Sequence, residues 1–112
     1  MNISTRRLVI EAARLFGTTE RDILSPSRFH RHVRPRWAVA YVLHLRGVHY
    51  AEIGRRLGRD HTTIMHCVRN MPRRLAGDER LAEATDTLIN CALDIWPRRV
   101  AASPSQQQET TP

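Results

Sequence analysis

The chain has 112 residues, room for one compact domain and a tail. All 18 of its cationic side chains are arginine, and against 11 acids they leave a net charge of +7. The excess is concentrated. Residues 1–27 hold four Arg and three acids and residues 75–112 hold three Arg and six acids, whereas residues 28–74 hold eleven Arg with only Glu52 and Asp60. A block of +9 in 47 residues points to a polyanionic partner. Two cysteines, Cys67 and Cys91, are too few for a disulfide-stapled secreted fold and read as free thiols in a reducing cytoplasm. The N-terminal segment has Arg6, Arg7 and Glu11 where a signal peptide needs an apolar run, and the uncharged stretch Trp37 to Leu45 is far short of a membrane span. No phosphate-loop motif is present, which leaves an NTPase role without support.

In chain order, Thr5 to Phe16 reads as a first helix, with Leu8, Val9, Ala12, Ala13 and Phe16 on one face, Ser4 as N-cap and Gly17 as its stop. A short turn of helix follows at Glu20–Leu24, capped by Thr19. Ser25 to Arg34 has no period and three Arg, two His and one aromatic. It reads as a basic loop, either a solvated connector or a phosphate-contacting arm. Pro35 suits the first turn of the next helix, which runs to about Arg46 with Ala38, Tyr41, Val42 and Leu45 as its apolar stripe and stops at Gly47. Trp37, at its start, is either a core edge or an exposed ring beside the loop.

The segment from Tyr50 to Met71 carries the most information. A short helix from Ala51 to Leu57 buries Ile53 and Leu57, and Gly54 has no side chain where two helices approach. Gly58 and Arg59 make a tight turn, and Asp60 caps a second helix, His61 to about Met71. Ile64, Cys67, Val68 and Met71 define the buried face of that helix, which leaves His61, Thr62, His66, Arg69 and Arg73 mostly outside. Two short helices, a glycine turn and a cationic outer face describe a helix-turn-helix over residues 51–71 in an all-α domain. Pro72 is expected to end or kink the second helix. A last helix, capped by Asp78, runs through Trp96 with Leu81, Thr85, Leu88, Ala92 and Ile95 on one stripe and stops at Pro97. The domain thus occupies 1–97, and 98–112, rich in Ser, Gln, Thr and Pro, reads as a disordered tail.

The major groove admits one helix, entered by its N-terminal end, where Thr methyls and hydroxyls, His and a short acid reach base edges. Asp60, His61, Thr62 and Thr63 supply that chemistry, Asp60 doubling as cap. Metal chemistry is disfavoured because His61 and His66 are five apart and Cys67 points to the core. The acids are scattered and form no nucleophile–base pair, so no enzyme is expected and no cofactor is called for. An aromatic content of 5% offers no stacking platform for RNA.

The run GRDHTTIMHCVRNM, preceded by AEIGRRLG and, upstream, by RPRWAVAYVL, resembles the C-terminal DNA-binding domain of the bacterial chromosomal replication initiator DnaA over residues 3–95. The resemblance implies a helical bundle of the Trp-repressor type that binds double-stranded DNA at short boxes. The second helix of its motif reads the major groove, and an arginine from a basic loop reads the minor groove. It carries the base- and phosphate-contacting run onto Asp60, His61, Thr62 and Thr63, the minor-groove arginine onto Arg28, and a further DNA-contacting arginine onto Arg36. Arg31, in the same loop, and Arg59, His66 and Arg69 on the adjoining surface complete the candidate set. Three positions depart from the family pattern. The turn Gly58-Arg59 is one residue shorter than the commoner Gly-Gly-Arg, Trp37 replaces a polar residue, and Phe29 sits where the family has a small polar one. The initiator's motor domain has no counterpart in these residues, so neither ATP hydrolysis nor origin melting is expected of them. The expected setting is the cytoplasm, associated with the nucleoid. The roles left open are replication control in competition with the full initiator, transcriptional regulation, for instance of a prophage, and an adaptor that docks a protein through the acidic helix 78–96.

Overall fold

The structure, a computed structural model, describes residues 3–95, all but the side chain of Ile3. It contains six helices and, among the described residues, no strand. They are α1 (Ile3–Phe16), α2 (Glu20–Leu24), α3 (His30–Leu45), α4 (Tyr50–Leu57), α5 (His61–Gly77) and α6 (Glu79–Ile95). No described helix is long and apolar enough to cross a membrane. The expected tail at 98–112 and the expected helix stop at Trp96 and Pro97 lie outside the described residues.

The core is organised around α3, which packs against all five other helices. Ala38, Val39, Ala40, Val42 and Leu43 are all buried, so the C-terminal half of this helix is covered on nearly every side. The single stripe expected from the sequence is therefore too narrow, and its end member Leu45 is 51% exposed. Leu8, Val9, Ala12 and Ala13 of α1 close one side, and Leu81, Leu88 and Ala92 of α6 another. Ile53 and Leu57 of α4, with Ile64, Cys67, Val68 and Met71 of α5, close the third, as their spacing predicts. Each large side chain buried this way stabilises the fold by about 1.5–3 kcal/mol. Cys67 is buried, Cys91 half-buried, and both are free.

Two caps stand where the sequence puts them. Thr19 accepts from the Asp22 amide at 3.1 Å, and Asp78 accepts from the Leu81 amide at 3.0 Å. Asp78 also receives Arg34 at 2.7 Å, which ties the start of α6 to α3.

Three boundaries differ from expectation. Ser4 lies inside α1, which begins earlier, and so is not its N-cap. The basic loop is short, because α3 begins at His30 and carries Pro35 as an internal residue. Pro35 gives up one backbone hydrogen bond, but the first turn is anchored elsewhere. The His32 and Val33 amides both donate to the Phe29 carbonyl at 2.9 Å, and Arg36 reaches back to the preceding loop. Pro72 does not end α5, which continues to Gly77. Met71 is fully buried beside it, and Arg74 lies over the Trp37 ring at 3.7 Å, so tertiary contacts carry the helix through the proline.

Candidate nucleic-acid interface

The turn between α4 and α5 is set by two glycines. Gly58 has φ +69°, the left-handed conformation that ends α4, and its amide bonds to the Gly54 carbonyl. At Gly54 a Cβ would stand 2.4 Å from the Arg59 carbonyl oxygen, so only glycine lets the turn close against α4. The Arg59 amide donates to the Gly54 carbonyl at 2.7 Å. The chain then extends through Asp60, whose carboxylate accepts from the Thr62 amide at 2.9 Å and starts α5. This backbone donor is the main reason the Asp60 carboxyl sits below its ordinary range.

Past the cap, α5 divides cleanly. Ile64, Cys67, Val68 and Met71 face the core; His61, Thr62, Thr63, His66 and Arg69 are exposed. Thr62, His66, Arg69 and Arg73 recur at four- and three-residue steps and form one polar stripe along the helix.

The basic segment splits into two groups of arginine. Arg28 is exposed on the loop and Arg31 is exposed on the first turn of α3. With Arg69, they make no ion pair among the described residues. Arg36 and Arg59 turn inward. Arg36 is 9% exposed, and its guanidinium donates to the carbonyls of Ile23 at 2.7 Å, Ser25 at 2.9 Å and Ser27 at 3.1 Å. Burial, with Arg59 close by, pulls its pKa down to about 10, so it stays charged at neutral pH. Arg59 donates to the Leu57 and Gly58 carbonyls at 3.1 Å each and also to Ser25. Burial lowers its pKa as well. Two of the candidate arginines thus spend their donors on backbone carbonyls, and both hold Ser25, at the root of the loop that carries Arg28.

The loop has a second lock. His32 is buried, with Nδ1 2.8 Å from Ser27 Oγ and Nε2 3.4 Å from Asp22 Oδ2. Ser27 Oγ also accepts from the Phe29 amide at 3.2 Å, and Ser25 Oγ accepts from the Ser27 amide at 3.2 Å. Nothing in the sequence period marks His32 or Arg36 as loop anchors, because their partners are mostly backbone atoms and short polar groups of the same connector.

Trp37 belongs to the edge of the core. It is half-buried, with Arg74 over one face and the His30 ring edge-on at 6.1 Å. Between the loop, α3 and the start of α5 lies a cleft of about 460 Å³ whose walls include Arg28, Arg36, Trp37, Gly58, Arg59 and Thr63. Arg28 and Thr63 both line this cleft, so the loop and the N-terminal turn of α5 share a common face. Cys67 lies at its floor, and burial pushes its thiol up to about 11, which leaves it protonated and inert.

Comparison with known proteins agrees with this geometry. Residues 7–71, from α1 through the buried part of α5, match the bacterial dnaA protein helix-turn-helix model. The chain is 40% identical over 80 residues to the chromosomal replication initiator protein DnaA of Rhodopseudomonas palustris, covering 68% of this chain and 16% of that protein. It is 38% identical over 92 residues to that of Nitrobacter hamburgensis, covering 74% and 19%, and 38% over 86 residues to that of Xanthobacter autotrophicus, covering 73% and 17%. The chain therefore spans less than a fifth of the length of these relatives, and by the helix-turn-helix it shares with them it belongs to the bacterial DnaA helix-turn-helix family.

Proposed function

We propose that this domain binds double-stranded DNA sequence-specifically, in the control of chromosome replication. The N-terminal turn of α5 enters the major groove and the loop at 25–29 follows the adjoining minor groove. The observation that carries this reading is the common face. Arg28 of the loop and Thr63 of α5 line one cleft, and His61, Thr62, His66 and Arg69 on α5 and Arg31 at the start of α3 are exposed, the three arginines making no ion pair among the described residues.

The exposure of these side chains, together with the family resemblance, supports the following roles. Thr62, Thr63 and His61, on the first turn, reach base edges. His66 and Arg69, one and two turns on, meet the phosphates along the groove. Arg28 lies in the minor groove, and Arg31 contacts the flanking backbone. Asp60 sets the helix start through the Thr62 amide, and its exposed carboxylate, 4.0 Å from His61 Nδ1, can also accept from an exocyclic amine of a base. Arg36 and Arg59 act at one remove, holding the loop and the turn in register.

The relatives are chromosomal replication initiator proteins, which supports replication initiation as the setting. A second reading, a protein partner on α6, is favoured by the exposed Glu79, Glu83, Asp86 and Asp94. The test is a gel shift of the purified chain against a duplex carrying an initiator box and a scrambled duplex. A box-specific complex is expected. Absence of any complex at low salt refutes DNA binding and leaves the α6 reading.

A further inference from the structure

Phe29 is 69% exposed, the most exposed large apolar side chain among the described residues, and it stands on the loop next to Arg28. An isolated exposed phenylalanine is ordinary on a protein surface. This one differs because its backbone is held from both sides. Its amide donates to Ser27 Oγ, and its carbonyl accepts from the His32 and Val33 amides at 2.9 Å each. Its ring meets the His32 ring edge-on at 5.9 Å, and His32 is itself buried and bonded to Ser27. The connector, anchored further by Arg36 and Arg59, thus holds an apolar ring out into water instead of folding it onto the core. Exposed cationic or basic groups flank it: Arg28 before it, His30 and Arg31 after it.

A ring in this position can form no hydrogen bond to the acceptors on the minor-groove floor. The favourable contact left to it is with base faces, which become available when a base step opens. Pyrimidine–purine steps open most readily.

We propose that Phe29 is an apolar wedge that inserts from the minor groove between two base pairs at such a step, while Arg28 and Arg31 hold the phosphates on either side, bending the duplex toward the major groove. The wedge rests on the DNA-binding reading above. It adds a specificity determinant that reads deformability instead of base edges.

The test uses the full chain and a short duplex carrying the initiator box. The duplex has 2-aminopurine placed in turn at each flanking step and a donor and acceptor dye on its ends. Wild type is expected to brighten 2-aminopurine at one pyrimidine–purine step and to bend the duplex by roughly 20–90°. Phe29→Ala loses both signals and binds about tenfold more weakly, a difference of about 1.4 kcal/mol. Phe29→Leu, which keeps an apolar wedge, retains the bend. Wild type that binds tightly and leaves the duplex straight, or Phe29→Ala that bends it equally, overturns the wedge and leaves DNA binding intact. Loss of the bend in the Leu variant as well also overturns it, and points to stacking on an extruded base. Failure of wild type to bind any duplex overturns both.

Discussion

Gly54 is where the helix-turn-helix is most tightly constrained. In an unobstructed helix interior, replacing glycine by alanine stabilises by up to about 1 kcal/mol through backbone entropy and helix propensity. Here the added Cβ meets the Arg59 carbonyl oxygen at 2.4 Å, and Arg59 C and His61 N at 3.4 Å. Restoring ordinary contact displaces a peptide by about 1 Å, and that peptide is pinned by the Arg59 amide bonded to the Gly54 carbonyl at 2.7 Å. Overpacking of this kind costs about 1–3 kcal/mol, and a backbone obstacle places it at the upper end. After subtraction of the propensity gain, Gly54→Ala is expected to destabilise the domain by about 2 kcal/mol, a fall in Tm on the order of 10 °C. Thermal unfolding followed by circular dichroism measures it. Gly77→Ala is the control, since a Cβ there has nothing within 4 Å, and it is expected to leave Tm unchanged or slightly raised. A Gly54→Ala protein that melts at or above the wild-type temperature would refute the reasoning, because the turn would then have room the geometry denies it.

Three further outcomes follow from the same contacts. Arg36→Lys replaces a fork that serves three divergent carbonyls by one ammonium. It is expected to cost about 2–3 kcal/mol in urea unfolding and to speed amide exchange at residues 25–29; a loss under about 0.5 kcal/mol contradicts the anchoring role. Asp78→Ala removes the α6 cap and the partner of Arg34, for about 1 kcal/mol at neutral pH. The Asp78 carboxyl is held below its ordinary range, first by the Leu81 amide and then by Arg34. Its contribution is therefore fully present above the ordinary carboxylate range and lost as pH falls through the depressed value. The wild-type and variant stability curves should converge in strong acid, and a constant gap down to that pH is inconsistent with this cause. Thr62→Ala is expected to weaken binding to a box duplex by about 1–3 kcal/mol and to spare binding to scrambled duplex; an equal loss on both rules out base readout at Thr62.

The helix-turn-helix was legible because each of its signals is local. Gly58 ends one helix, Asp60 caps the next two residues later, and Ile64, Cys67, Val68 and Met71 repeat with the helical period. The errors fall where a local signal meets a distant partner. Pro35 and Pro72 read as a start and a stop, but Arg36 reaching back to the loop and Arg74 on Trp37 hold the helix through each. Arg36 and Arg59 count as charges in a basic stretch, and their inward turn depends on the carbonyls of Ile23, Ser25 and Leu57, which no side-chain pattern records. The burial of α3 on nearly every side follows from its five neighbours, and a single-helix reading sees only one of them.

Salt dependence of binding to box and scrambled duplexes tests the central claim most directly. If Arg28, Arg31, Arg69 and their neighbours displace counterions from on the order of 6 phosphates, log K falls against log[salt] with a slope of about −5 on both duplexes. Base contacts from His61, Thr62 and Thr63 are predicted to hold the box duplex at least about a thousandfold tighter at every salt concentration. A slope near zero, or equal affinity for the two duplexes across the titration, would contradict the account.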